Sequence, residues 1–217
     1  MKEASRILIA IPSMDYVAAG FAQSLASLNY PDNSQRAIAL ICGSLIYDAR
    51  NKLAAQAVKD EFDYVMWFDS DMIFESDTVI RLFETMEREK ADIVSGLYFR
   101  RSTPYSPVAF DSFGYGEDGE ALFTDYSGEL TGVHEVAAVG FGCVLMKADV
   151  IFDVFAKYKD CFSPIGKVGE DMAFCWRARQ LGYKILLDTD IKCGHFGHVT
   201  VTEQLYKALR GGSQNEA

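Results

Sequence analysis

Two carboxylates one residue apart, directly after an apolar run, are the strongest chemical feature of this sequence: Tyr64-Val65-Met66-Trp67-Phe68 leads into Asp69-Ser70-Asp71. Such a run reads as a strand of an α/β sheet, and ligands of open α/β sheets bind beyond the carboxyl ends of the strands. Alternation along an extended chain puts Asp69 and Asp71 on similar sides. There they could share a divalent cation and its phosphate ligands; the other reading is a turn with an Asx cap leading into the next helix. A second acidic pair, Glu170-Asp171, follows Gly169 where a helical pattern begins. One of these acids could take a proton from an attacking hydroxyl, or both could simply complement the helix dipole. Since the dipole lowers a carboxylate's pKa, a catalytic role requires burial or substrate closure to raise it again.

A third constellation is Cys193-Gly194-His195-Phe196-Gly197-His198. A structural zinc site takes four ligands, and only Cys193, His195 and His198 are local, which argues against zinc. One histidine joining carboxylate and phosphate oxygens around Mn²⁺ or Mg²⁺ is a better reading than zinc, the other being a histidine held only by structural hydrogen bonds; the flanking glycines imply close backbone approach to a neighbour. Arg50-Asn51 offers a cation and an amide near the same sheet edge, within reach of a diphosphate or a base; the alternative is an ordinary surface arginine. Gly140-Phe141-Gly142 supplies an adaptable loop with an aromatic suited to a sugar face, or a tight turn.

The elements that must position these residues follow from periodicity. Continuous apolar runs at Arg6 to Ile11, Ala37 to Cys42 and Phe62 to Phe68 predict parallel strands covered on both faces. Helical spacing over Asp15 to Leu28, from a Ser44 N-cap to about Val58, and after a Ser76 cap (Val79, Ile80, Phe83, Met86 inward) alternates with them, as in right-handed βαβ units. Ile93 to Ser95 begins another strand. Gly96 to His134 reads as loops with a short hairpin near Val108. Strands at Glu135 to Val139, Cys143 to Met146 and Lys184 to Leu187 frame helices at Ala148 to about Tyr158 and Gly169 to Leu181, with Gly182 at the C′ position. The expectation is one α/β domain over 1–210, with a mostly parallel central sheet, helices on both faces and a disordered tail at 211–217.

Length and composition agree: 217 residues, about half of them apolar, suffice for one well-buried core. A net charge of −10 argues against nucleic-acid binding, which needs clustered Lys and Arg. Five cysteines without a Cys-x-x-Cys pair fit reduced, mostly core thiols. No apolar run approaches the roughly 20 residues of a membrane span, and no signal peptide opens the chain, so a cytoplasmic protein is expected.

In order and spacing these motifs resemble GT-A-type glycosyltransferases, particularly the family 2-like enzymes and their small bacterial and phage relatives. The resemblance runs over roughly residues 5–198: Ala49-Arg50-Asn51, the Asp-x-Asp of Asp69 to Asp71, Val139-Gly140-Phe141-Gly142, Gly169-Glu170-Asp171 with Arg177 and Gly182 behind it, and His195. It implies a GT-A (Rossmann-like) fold, with a nucleotide-binding half at about 1–96 and an acceptor half at about 97–200. It also implies a Mn²⁺- or Mg²⁺-dependent, inverting transfer of a hexose from a nucleotide sugar to an unidentified glycan or other hydroxyl acceptor. Pro12 and Ser13 would touch the nucleoside, with Ser70 beside them at the strand end. Asp71 would be the principal metal ligand, with Asp69 on ribose, sugar or metal shell and His195 as a later metal or diphosphate contact. Asp171 would be the base and Glu170 a sugar contact. The second strand leads to Cys42-Gly43-Ser44 where larger members carry an aspartate, which leaves the base open, UDP favoured over GDP. Tyr98, Arg100, Arg101 and Tyr105 are expected to shape acceptor choice. The competing functions are a metal-dependent nucleotidyltransferase, for which the glycine-rich basic loop is missing, and a sugar-nucleotide binding protein without turnover.

Overall fold

A computed structural model describes residues 5–116 and 119–197. In chain order the elements are β1 (Arg6–Pro12), α1 (Ala19–Ala26), β2 (Gln35–Ile41), α2 (Ile46–Lys59), β3 (Tyr64–Phe68), β4 (Met72–Ile73), α3 (Thr78–Glu89), β5 (Ile93–Leu97), β6 (Ala109–Tyr115), β7 (Ala121–Asp125), β8 (Val133–Glu135), β9 (Ala138–Val139), β10 (Cys143–Lys147), α4 (Ala148–Tyr158), α5 (Glu170–Arg179), β11 (Ile185–Lys192) and β12 (Gly194–His195). The central sheet has the order β2-β1-β3-β10-β5-β11-β8. Five of its strands run one way; β10, between β3 and β5, and β8, on the far edge, run the other. The sheet is thus mostly parallel, and hydropathy carries no sign of the two reversals.

Strand alternation explains the continuous apolar runs. Ile7, Ile9 and Ile11 of β1 join Met66 and Phe68 of β3 under α1 and α3, where Phe21, Val79, Leu82 and Met86 cover them. Leu8, Ala10, Val65 and Trp67 point the other way, into a cluster with Leu53 of α2, Val150 and Val154 of α4, and Phe174 of α5. Both faces are covered, and Ile7 to Ile11 and Val65 to Phe68 are apolar throughout. Each of the larger side chains among them contributes about 1.5–3 kcal/mol by leaving water.

Several expected elements shift. The first helix is confined to Ala19–Ala26. Neither serine caps a helix: Leu45 and Asp77 occupy the N-cap positions without a side-chain bond, and the Ser44 hydroxyl is buried without a partner. The inner face of α3 is Val79, Leu82 and Met86 with Thr78 and Thr85, while Ile80 and Phe83 lie at its margins. The expected strand at 135–139 divides between two sheets, β8 pairing with β11 and β9 with β6. The hairpin near Val108 is β6–β7. Gly182 has φ +87°, as the turn after α5 requires. The last strand continues to Lys192, which carries Cys193 to His195 up to the rim. All five cysteines are free, and four are buried. Among the described residues no helix is long and apolar enough to cross a membrane. His198 and the tail at 211–217 lie outside the described residues.

Candidate active site

The carboxyl ends of β1, β3, β5 and β11 meet at one rim, and the antiparallel β10 begins there, Cys143 lying opposite Phe68. The loops leaving that rim line a cleft of about 540 Å³. It gathers Pro12, Ser13, Arg50, Asp69, Ser70, Asp71, Glu170, Asp171 and His195, together with Tyr98, Arg100 and Arg101.

The Asp-x-Asp segment is a turn, not an extended chain: the amide of Met72 donates to the carbonyl of Asp69 at 3.1 Å. The extended segment expected here is corrected, while both carboxylates line the same cleft and take different partners. Asp69 continues the alternation of β3 on the Trp67 face, where Arg50 Nη2 reaches its Oδ1 at 2.8 Å. The same guanidinium reaches Glu170 Oε1 through Nε at 3.2 Å. Arg50 is only 2 % exposed and lies over Trp67 and Phe141, with ring centroids 5.7 and 5.3 Å away; its Nη1 has no hydrogen-bond partner. Burial would lower its pKa, but Asp69, Glu170 and Asp171 outweigh it, so the cation is kept. Arg50 is therefore not an ordinary surface residue, and it lines the cleft from a buried position. It is a buried hub that ties the end of β3 to the start of α5.

Beyond the turn, Asp71 has its own set of partners. His195 Nε2 lies 3.6 Å from its Oδ1, and Arg101 Nη1 lies 2.7 Å from its Oδ2. Short pairing of β12 with β4 sets this approach, His195 opposite Met72, and the ring is oriented by Nδ1 against the Phe99 carbonyl at 2.9 Å. Burial would raise the pKa of Asp71, yet His195 and Arg101 hold it below the ordinary value. Burial would likewise lower His195, but its bonds to Asp71 and the Phe99 carbonyl and the Asp71 charge raise it.

Asp171 opens α5, and its Oδ1 accepts from the Met172 amide at 2.7 Å. Burial, with the charge of Glu170 beside it, pushes its carboxyl up to about 6, against the opposing pull of Arg50. The dipole penalty expected at a helix N-terminus is thus overcome by desolvation. Ser13 donates its hydroxyl to the Tyr16 carbonyl at 3.1 Å, which fixes the loop after β1 against the cleft.

Two expected contacts are corrected. Asn51 is absent from the cleft lining and turns to the far side of α2: its Nδ2 donates to Asp160 Oδ1 at 2.9 Å, and its Oδ1 accepts from the amides of Phe162 and Cys161. It pins the α4–α5 connection, helped by Arg177, which donates to the Cys161 carbonyl at 2.9 Å. Phe141 is 1 % exposed and packs against Trp67, Phe162 and Phe174, so it presents no face to a sugar. Gly140 and Gly142 do permit close approach, but to Tyr98: a Cβ at Gly140 would run into its hydroxyl, and one at Gly142 would lie 2.9 Å from its ring. The Tyr98 hydroxyl accepts from the Gly142 amide at 3.1 Å, and its ring lies edge-on to His195. Tyr98 and Arg101 are the cleft residues whose contacts the sequence left unmarked. A second concavity of about 500 Å³, between α2 and α4, is lined mainly by apolar side chains such as Val58, Ile151, Phe152 and Phe155, and lacks paired acids.

Among the described residues no group of three or more His, Cys, Asp or Glu could hold a metal by itself. Asp71 and His195 offer two ligands, and Asp69 is engaged by Arg50.

Comparison with known proteins adds to this geometry. The chain is similar over 89% of its length to a protein described as A197 from STIV, with a TM-score of 0.63, 19% identity and 86% of that chain covered. It is also similar, over 95% of its length and 48% of the other chain, to GalNAc-T7 solved with UDP, GalNAc and Mn²⁺, with a TM-score of 0.56 and 10% identity. At these identities the likeness is one of fold. No curated protein matches the sequence significantly. The sequence model described as glycosyl transferase family 2 matches residues 38–155, more than half of the chain, from β2 through α3 and the Asp-x-Asp turn into α4. With its rim cleft and mixed sheet, the chain belongs to glycosyl transferase family 2 and has the GT-A fold.

Proposed function

We propose that this cleft transfers a hexose from a nucleoside-diphosphate sugar, UDP in preference to GDP, to an acceptor hydroxyl, with inversion and with a bound Mn²⁺ or Mg²⁺. The observation that carries this reading is the meeting of Asp71 and His195, from distant parts of the chain, in the same cleft as a carboxyl pushed up to about 6. GalNAc-T7, solved with UDP, GalNAc and Mn²⁺, supports a nucleotide sugar and a divalent ion as the occupants.

The donor set fits such an ion. Two atoms bound to one cation at about 2.0–2.6 Å each lie roughly 3–4 Å apart, and the Asp71–His195 separation of 3.6 Å falls in that range. One carboxylate and one imidazole leave positions for diphosphate oxygens and water, as hard divalent ions prefer. Held by Asp71 and His195, the ion would supply Lewis-acid stabilisation of the charge that grows on the departing diphosphate.

The chain's own residues do the rest. Pro12, Ser13 and Ser70 line the cleft at the strand ends and take the nucleoside side. Arg50 fixes Asp69 and Glu170, so Asp69 can meet ribose or sugar hydroxyls and Glu170 an acceptor or donor sugar, without either drifting to the ion. Asp171 takes the acceptor's proton as the new C–O bond forms on the face opposite the breaking bond, whose electrons leave with the diphosphate. A base of this kind contributes about 10²–10⁴-fold. Incubation of purified protein with UDP- and GDP-hexoses and Mn²⁺ tests the reading. Slow release of the nucleoside diphosphate, lost in Asp71→Ala, is expected; pyrophosphate as the product, or no turnover of any donor, would reject it.

A further inference from the structure

The carboxylate assigned to the ion already carries a cation. Arg101 Nη1 lies 2.7 Å from Asp71 Oδ2, while His195 faces Oδ1. A guanidinium and a divalent ion on the two oxygens of one carboxylate repel each other, so the ion and Arg101 compete for Asp71. Arg101 is free to yield: it is 52 % exposed and stands on the segment between β5 and β6, anchored by its neighbours. Tyr98 is locked under Gly142, Phe99 bridges to Pro107, and Arg100 pairs with Asp125 at 2.9 Å. Arg101 thus projects into the cleft from a braced base, and its charged partner is the group the ion needs.

We propose that Arg101 is a donor-binding residue that exchanges partners, leaving Asp71 for the diphosphate of the donor as the ion takes Asp71. The planar guanidinium fork matches phosphate oxygens, and the long stem lets it move between the two without backbone change. In the empty cleft the pair keeps Asp71 neutralised; in the loaded cleft the same cation adds to the charge that holds the leaving group. This rests on the donor reading above.

The test is a pair of binding measurements on the full chain. Mn²⁺ alone is titrated with the free-ion electron paramagnetic resonance signal as readout. UDP and GDP are each titrated calorimetrically at saturating Mn²⁺, with uridine and guanosine as controls. Arg101→Ala is expected to bind Mn²⁺ alone about two- to fivefold tighter, the worth of an exposed ion pair removed from Asp71. It is expected to bind the nucleoside diphosphate at least about tenfold weaker, with the nucleoside controls unchanged. Arg101→Lys should keep the competition with Mn²⁺ and recover part of the diphosphate affinity. Opposite signs for the two ligands separate an exchanging residue from a structural one, which would weaken both. If the wild type binds Mn²⁺ with a nucleoside diphosphate while Arg101→Ala shifts both affinities the same way, or neither, the exchange is overturned and the donor reading stands. If the wild type binds neither ligand, the donor reading falls, and the exchange with it.

Discussion

Replacing Asp171 with asparagine should make the protein inactive and more stable at once. The side chain sits at the start of α5 with its carboxyl pushed up to about 6 by burial and by Glu170. A carboxylic acid in the unfolded chain titrates near 4, so between roughly pH 4 and 6 the folded protein binds the extra proton. Its contribution to stability is therefore full below about pH 4 and is lost as pH rises through about 6. At pH 7.5 the wild type carries a poorly solvated negative charge that asparagine lacks. A displacement from 3.8 to about 6 corresponds to at most ~3 kcal/mol; with solvent reaching the cleft, about 1–2 kcal/mol is the working figure, a melting increase of a few degrees. Asparagine keeps an acceptor for the Met172 amide, so that bond in the first turn of α5 survives. The assay has two arms: melting of both proteins at pH 7.5 and pH 4, and nucleotide release between pH 5 and 8. Asp171→Asn should melt higher at pH 7.5 with the difference gone at pH 4, and should lose about 10²–10⁴-fold in transfer. Wild-type turnover should fall about tenfold from its plateau to pH 5, following deprotonation near 6. A variant that melts lower at pH 7.5, or a wild-type rate flat to pH 5, refutes the reasoning.

Arg50→Met removes the cation between Asp69 and Glu170; it should cost about 2–5 kcal/mol in denaturant unfolding and, with Arg50 no longer holding Asp171 down, move the acid limb of the rate profile to higher pH. A limb that stays put or moves to lower pH would contradict it. Asn51→Ala breaks bonds to Asp160, Cys161 and Phe162 outside the cleft; it should lose about 1–3 kcal/mol of stability and leave nucleotide affinity within twofold in calorimetry.

The strands were legible because the central ones are buried on both faces: Ile7 to Ile11 and Val65 to Phe68 have no polar position to blur the pattern. Helix α4 matched from Ala148 to Tyr158. Strand direction was not legible, since the apolar content of β10 is the same whichever way it runs. The caps failed because nothing in Ser44 or Ser76 marks whether the hydroxyl will reach an amide. Arg50 carried a missed signal: it falls on the stripe of Leu53, Ala54 and Ala57, the buried face of α2. The glycines around Phe141 did announce close approach, but the partner is Tyr98, whose position depends on how β5 packs. The proximity of Asp71 and His195 was expected from resemblance, and β12 pairing on β4 brings it about. The Arg101 contact had no local sign, because it joins separate loops at the rim.

The most direct test is calorimetry of UDP with and without Mn²⁺ on the wild type and Asp71→Ala. The wild type should bind UDP at least about tenfold tighter with Mn²⁺, and Asp71→Ala should lose that gain while remaining folded. Equal Mn²⁺ dependence in the two proteins would contradict the assignment of the ion to the Asp71–His195 pair.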